Sequence, residues 1–186
     1  MGPLESLAEI PVLPGKRLVL RPLALTDAVD AWAYYSDPAV FGPTSMDVAS
    51  LDATSEGLRA MDASFARRES LRWGIVPAGE SRVAGDCGFF NFDPDGAEIG
   101  YMLARPYWGR GIASEAVDLM LTFAFDELSL NAVRALVMDG NERSLRLLDR
   151  KGFERLELLP EFRWVRGAQK DFWLLRRVAA GSPARA

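Results

Sequence analysis

Apolar residues recur along this chain with two periods, and the switches between them divide it into elements. Alternation with period two, or short apolar runs between turn residues, predicts strands over 17–23, 71–76, 82–92, 97–104, 133–138, 153–158 and 163–177. Between 113 and 128, Val117, Met120, Leu121, Ala124 and Leu128 follow the spacing i, i+3, i+4, i+7, i+11 of a buried helix face. Thr26 or Asp27 can cap a helix that runs to Ser36, where Asp37-Pro38 stops it. A second helix is predicted over 47–68 after a loop at 41–46. Asn141 and Gly152 bracket a helix over 142–151 as N-cap and C-terminal glycine. Asp93-Pro-Asp-Gly96 is a tight turn, so 82–92 and 97–104 should form a hairpin. The order is strand, two helices, three strands, helix, strand, helix, two strands, an α+β (mixed α/β) plan around one largely antiparallel sheet. Pro3, Pro11, Pro14 and Gly15 mark 1–15 as an extended arm, 16–178 is one domain, and 179–186 reads as a frayed tail.

The strand at 97–104 runs into the helix at 113–128 through Arg105-Pro-Tyr-Trp-Gly-Arg-Gly-Ile-Ala-Ser-Glu-Ala116. A glycine-rich strand-to-helix turn presents free backbone N–H groups at the positive end of a helix dipole, and both favour phosphate oxygens. Gly109 and Gly111 let the backbone turn and approach a ligand closely. The turn is not a dinucleotide fingerprint, because no third glycine follows Gly109 and Gly111 at the G-x-G-x-x-G spacing; the helix continues into Glu115 and Ala116 instead. No Lys-Ser or Lys-Thr pair follows, which excludes the ATP-binding phosphate loop.

Composition narrows the chemistry further. The 186 residues suit one domain with a full core, and 49% apolar with 26% charged residues is ordinary for a globular protein. A net charge of −4 gives no basic surplus for nucleic acid. Histidine is absent, which excludes Ser-His-Asp and Cys-His catalysis and any His-ligated metal, and no metal is expected. The single cysteine, Cys87, sits in an apolar run and reads as a small buried residue. The N-terminus lacks a basic segment before an apolar one, and no apolar run approaches membrane-spanning length, so a cytoplasmic protein without a membrane partner is expected.

Two motifs in order resemble the GCN5-related N-acetyltransferases (GNAT). Trp108-Gly-Arg-Gly-Ile-Ala113 is similar to their acetyl-CoA pyrophosphate loop, Gln/Arg-x-x-Gly-x-Gly/Ala, with Trp108 in the first place and Ala113 in the last. Asn141-Glu-Arg-Ser144 through Gly152-Phe153 is similar to the helix that follows the family's fifth strand. Residues 107–116 look most like the RimJ/RimL-like branch, which acetylates ribosomal-protein N-termini. With Arg17-Leu-Val-Leu-Arg-Pro22, the resemblance covers most of 16–177. It implies a twisted sheet of about seven strands, splayed between strands four and five, with about four helices. It implies that the pantetheine arm enters that gap beside Tyr101, Met102 and Leu103. It also implies that Gly109, Arg110, Gly111, Ile112 and Ala113 offer N–H groups to the pyrophosphate, with Trp108, Asn141 and Ser144 completing the acetyl-CoA site. A homodimer is expected for such a fold.

Acetyl transfer from a thioester to an amine requires a base for the ammonium, donors for the oxyanion and a donor for the leaving thiolate. Glu98 is the candidate base, since the family often carries a Glu on this strand and flanking Ala97 and Ile99 suggest partial burial; the alternative is an exposed strand Glu. Ser144 is the candidate donor to the thiolate, because the family's common Tyr slot is Leu148 here. Asn141 can serve pantetheine, cap the helix, or do both. Tyr35, Asp86, Phe90 and Asn91 are candidates for the acceptor amine, with Trp32, Tyr34, Phe41 and Trp164 nearby in such a fold. Asp86 can hold an ammonium or face solvent. The expected reaction is direct attack by a protein N-terminal or small-molecule amine in a ternary complex. Transfer from another acyl-CoA such as succinyl-CoA is the alternative, as is a CoA-binding domain without catalysis, which the missing Tyr at Leu148 motivates.

Overall fold

A computed structural model of the chain describes residues 2–181; the expected tail falls largely outside them, at 182–186. Among the described residues, eight strands form one sheet in the order β1-β2-β3-β4-β5-β6-β8-β7. They are β1 (Leu13–Pro14), β2 (Leu18–Pro22), β3 (Leu71–Pro77), β4 (Gly85–Asp93), β5 (Gly96–Leu103), β6 (Ala132–Met138), β7 (Glu154–Val165) and β8 (Ala168–Val178). Five α-helices accompany them: α1 (Ala28–Tyr35), α2 (Pro38–Phe41), α3 (Leu51–Ala66), α4 (Ile112–Thr122) and α5 (Glu142–Arg150). All neighbouring strands are antiparallel except β5 and β6, which the crossover through α4 makes parallel.

The extra strand and the extra helix both come from short segments. β1 lies in the N-terminal stretch, which packs along the sheet: Leu4 is buried in the core and Trp73 Nε1 donates to the Pro11 carbonyl at 2.7 Å. α2 lies between the predicted end of the first helix and the predicted loop, overlapping the loop only at Phe41, because Asp37 caps it, accepting from Ala39 N at 2.9 Å, and Pro38 sits in its first turn. α3 begins later than the Asp47 start predicted, since the Ser50 hydroxyl caps it by accepting from Ala53 N at 3.1 Å. The helix predicted over 113–128 closes in a π-turn, with Leu128 N donating to the Phe123 carbonyl at 3.0 Å. Its five expected core residues, Val117, Met120, Leu121, Ala124 and Leu128, are all buried.

Strand alternation divides the molecule into two layers. Leu18 and Leu20, Leu71, Trp73 and Ile75, Cys87 and Phe89, and Ala97, Ile99 and Leu103 point to one face. There they pack against Ile112, Ala116, Val117, Met120 and Leu121 of α4 and Leu145 and Leu148 of α5. The opposite face carries Arg72, Asp86, Phe90, Glu98 and Met102, and α1, α2 and α3 close a smaller cluster around Tyr34, Tyr35, Phe41 and Leu58. β7 and β8 form a long hairpin whose tip reaches the loop after α2. Arg166 donates to the carbonyls of Gly42, Thr44 and Met46 at 2.7, 2.9 and 2.9 Å.

Candidate active site

The sheet forks at β5. Gly96, Ala97 and Glu98 pair with Ala132, Val133 and Arg134 of β6, and the register ends there. A Cβ on Gly96 would lie 1.8 Å from the Ala132 carbonyl oxygen, so only glycine permits the approach at the base of the fork. Beyond Glu98 the edge of β5 facing β6 carries backbone groups outside the ladder, the kind of edge that takes up an extended partner.

A cavity of about 760 Å³ fills the fork. Its walls are Tyr101, Met102 and Leu103 from β5, Trp108, Gly109, Gly111, Ile112 and Ala113 from the turn, and Asn141 and Ser144 from α5. Of the residues expected to hold CoA, only Arg110 lies off this wall, its guanidinium 5.5 Å from the Tyr107 ring centre. Gly109 and Gly111 have φ of 74° and 78°, left-handed values that suit glycine and that aim the turn at the cavity. Gly111 caps α4 without any side-chain hydrogen bond to its first turn. The N–H groups of Ile112, Ala113 and Ser114 therefore have no intrahelical acceptor and stand at the cavity wall.

The Ser144 hydroxyl lies 2.7 Å from the Tyr101 hydroxyl. Burial pushes Tyr101 up to about 12, against a smaller downward pull from the Ser144 hydrogen bond, so it keeps its proton at neutral pH. This pair escaped sequence reasoning, which placed Tyr101 beside the pantetheine arm and gave its hydroxyl no role; no local pattern joins two residues 43 positions apart. Asn141 caps α5, its Oδ1 accepting from Ser144 N at 3.3 Å, while its Nδ2 donates to the Pro43 carbonyl at 3.0 Å. Arg143, Arg146 and Arg150, also missed, line the cavity from one side of α5, and their spacing of three and four was the available signal. The Arg143 guanidinium stacks 3.9 Å from the centre of the Trp108 ring, and Trp108 Nε1 donates to the Leu103 carbonyl at 2.7 Å.

Glu98 occupies the opposite face. It is half-buried at the base of the fork, where its carboxylate accepts from Asn91 Nδ2 at 3.0 Å. Asn91 reaches it from a bulge in β4: Phe90 pairs with Glu98 and Asp93 with Gly96, so β4 carries one residue too many. Asn91 takes a left-handed φ of 50° there. Glu98 and Tyr101, three residues apart on one strand, project to opposite faces about 10 Å apart along β5.

The acceptor candidates separate into two groups. Phe90 and Asn91 line a second cavity, between α3 and the strands β3 and β4. Tyr35 and Asp86 are enclosed. Asp86 has 0% exposure; its Oδ2 accepts from Tyr34 and Tyr35 at 3.0 and 2.8 Å, and Arg72 Nη1 stands 3.3 Å from its Oδ1. Burial raises the Asp86 carboxyl above its usual range, with Arg72 and the two tyrosines pulling the other way. Both oxygens are taken, so a direct contact with an ammonium needs these partners to move. Trp32 is partly exposed and donates to the Ala49 carbonyl at 3.1 Å, Phe41 is core, and Trp164 projects from the β7 edge at 69% exposure.

Among the described residues, no three His, Cys, Asp or Glu side chains cluster as metal ligands. Nor is any helix among them long and apolar enough to cross a membrane.

Residues 17–154 match the family model described as an acetyltransferase (GNAT) domain. The uncharacterized N-acetyltransferase p20 of Bacillus licheniformis is 33% identical over 174 residues, covering 89% of this chain and 97% of that protein. The uncharacterized N-acetyltransferase YoaA of Bacillus subtilis is 29% identical, covering 87% of this chain and 93% of that protein. The fold is shared with RimL, the ribosomal L7/L12 α-N-protein acetyltransferase solved with coenzyme A. RimL is 19% identical, with a TM-score of 0.80 over 90% of this chain and 98% of that one.

Proposed function

The chain belongs to the GNAT acetyltransferase family and is an acetyl-CoA-dependent acyltransferase, and on that premise we propose that it acetylates a primary amine by direct attack within a ternary complex. The acceptor is a protein N-terminus or a small-molecule amine. One observation carries the reading: the fork in the sheet separates a phosphate-type turn and a hydroxyl pair on one face from a carboxylate on the other.

The residues at the turn suit acetyl-CoA. Free N–H groups at the start of α4 and the α5 arginines match a pyrophosphate, and the open edge of β5 matches an extended amide-bearing arm. When bound, acetyl-CoA supplies an activated acetyl group as a thioester. The chain's own residues do the rest. Glu98, held by Asn91, takes a proton from the acceptor ammonium directly or through water. Backbone N–H groups near Met102 and Leu103 offer hydrogen bonds to the carbonyl oxygen. The Ser144 hydroxyl lies 2.7 Å from that of Tyr101; with the one Ser144 proton directed to the departing sulfur, Tyr101 is left as the donor within the pair, which then presents one directed proton. Cys87 is unsuited to carry an acyl group, because it is fully buried and burial pushes its thiol well above the usual range, which favours direct transfer.

The test is acetyl-CoA calorimetry on the wild type and Gly111→Glu, followed by thiol release with an amine panel. Micromolar binding lost in Gly111→Glu with the fold intact, and turnover reduced about 100-fold in Glu98→Gln, is the expected result. CoA binding without turnover on any amine would remove the reading.

A further inference from the structure

The second cavity, of about 740 Å³, lies between α3 and the strands β3 and β4, on the same face as Glu98. Met61, Phe90 and Phe92 give it apolar walls, and Asn91 links it to Glu98. Arg68 stands out here. Its Nη1 is the one buried side-chain nitrogen or oxygen among the described residues that has no hydrogen-bond partner. A guanidinium nitrogen withdrawn from water without an acceptor is costly, and buried polar groups are normally paired. Arg68 also holds a left-handed φ of 62° just past the end of α3, a position that favours glycine, and its guanidinium lies 5.0 Å from the Phe65 ring centre.

The neighbouring charges are already matched. Glu69 takes Arg67, with Nη2 at 2.8 Å and Nε at 3.0 Å, and the Ser64 hydroxyl stands 3.4 Å from the same carboxylate. Arg72 faces Asp86 and lies over Phe90 at 5.1 Å. The Ser70 hydroxyl is engaged with Ser64 at 2.8 Å. The cavity therefore carries one uncompensated positive charge, that of Arg68.

Resting on the acetyl-transfer reading above, we propose that this cavity seats a carboxylate of the acceptor, bound by Arg68, while the acceptor amine reaches Glu98 past Asn91. A guanidinium pairs with a carboxylate through two parallel N–H bonds. A single negative charge balances Arg68, whereas a phosphate dianion would leave excess negative charge beside Glu69 and Glu98. Met61, Phe90 and Phe92 suit the aliphatic stem between amine and carboxylate. The acceptor is thus an amino acid, or a peptide N-terminus bearing an acidic side chain close to its amine.

The experiment compares ω-amino acids of increasing length with their amides as acceptors, and Ala-Asp with Ala-Asn peptides, by thiol release. The acid of the best-fitting pair is expected to exceed its amide in kcat/KM by about 10–100-fold, the range of a charge-assisted hydrogen bond. Preference confined to the peptides identifies a protein acceptor, and preference among the free acids a metabolite. In Arg68→Gln and Arg68→Gly the ratio falls towards one while acetyl-CoA affinity is unchanged; the glycine variant also relieves the left-handed backbone, so loss of fold does not confound it. Ligand-observed NMR of the N-acetylated acids and amides on the CoA-bound protein reads the seat independently of turnover. Turnover with equal use of acids and amides overturns the carboxylate seat and leaves acetyl transfer standing. Arg68-dependent acid binding without turnover on any amine keeps the seat and removes the transfer reading. Acid binding that ignores Arg68, or no acid binding, overturns the proposal.

Discussion

Replacing Asp86 separates a packing role from an acceptor role. Its carboxylate has two tyrosine hydroxyls and one guanidinium as partners and no exposure. At 3.3 Å from Arg72 and an effective dielectric near 20, the Coulomb attraction is about 5 kcal/mol, opposed by a desolvation cost of several kcal/mol per ion. Burial is the dominant influence and the Asp86 carboxyl is raised, so the partners only partly offset that cost. Asp86→Ala removes the acceptor from all three donors at once. Breaking a buried pair costs about 3–5 kcal/mol and unsatisfied hydroxyls add more, so about 4–6 kcal/mol is expected. For a chain of this size that is a fall in Tm of about 10–20 °C. Asp86→Asn keeps an acceptor for the tyrosines and needs no ion desolvation, so about 1–3 kcal/mol is expected. The pH dependence has a definite sign. A carboxyl raised in the fold binds its proton more tightly folded than unfolded, so its contribution is fully present below the unfolded value of 3.8 and is lost as pH rises through the raised folded value. Wild-type stability should therefore carry a component that declines with rising pH across that interval, and Asp86→Asn should lack it. Thermal unfolding followed by circular dichroism, at several pH values, measures all of this. An alanine variant within about 2 °C of wild type, or one more stable than the asparagine variant, would refute the reasoning.

Tyr101→Phe should lower kcat about 3–10-fold with acetyl-CoA affinity unchanged, since one neutral hydrogen bond to Ser144 is lost; a fall in affinity with kcat intact would reverse the assignment. Gly109→Ala meets no atom within 4 Å, so the fold should tolerate it at about 1 kcal/mol for the left-handed φ, while calorimetry should show weaker acetyl-CoA binding because the added methyl group sits on the turn proposed to hold the pyrophosphate. Arg166→Ala should free the loop after α2 from three carbonyl contacts and raise protease sensitivity at 42–46, and unchanged cleavage there would count against the clamp. Arg143→Ala should weaken acetyl-CoA binding more at low salt than at high salt, because its charge acts at an open cavity wall.

Much of this protein is determined by local pattern. The periodicity of 113–128 identified five residues that the structure buries, and Asn141 with Gly152 bracketed α5 to within a residue. Residues of the Gly109–Ala113 turn and of α5 meet in one cavity, because a strand-turn-helix unit positions its own backbone donors. β1, α2 and the late start of α3 were not legible, since short elements depend on a single pairing or cap more than on a repeated pattern. Tertiary structure alone decided the environment of isolated polar side chains. Asp86 looks like an open carboxylate in sequence but is enclosed once α1 brings Tyr34 and Tyr35 over β4. Tyr101 gains a second role from Ser144, Arg166 becomes a clamp because a long hairpin reaches a distant loop, and Arg68 Nη1 is left without an acceptor at the turn after α3. Hydrophobic periods and caps act over one or two helical turns, so the sequence determines them by itself. Desolvation and partner geometry for a polar group depend on residues 40 to 120 positions away, and those distances close only when the sheet assembles.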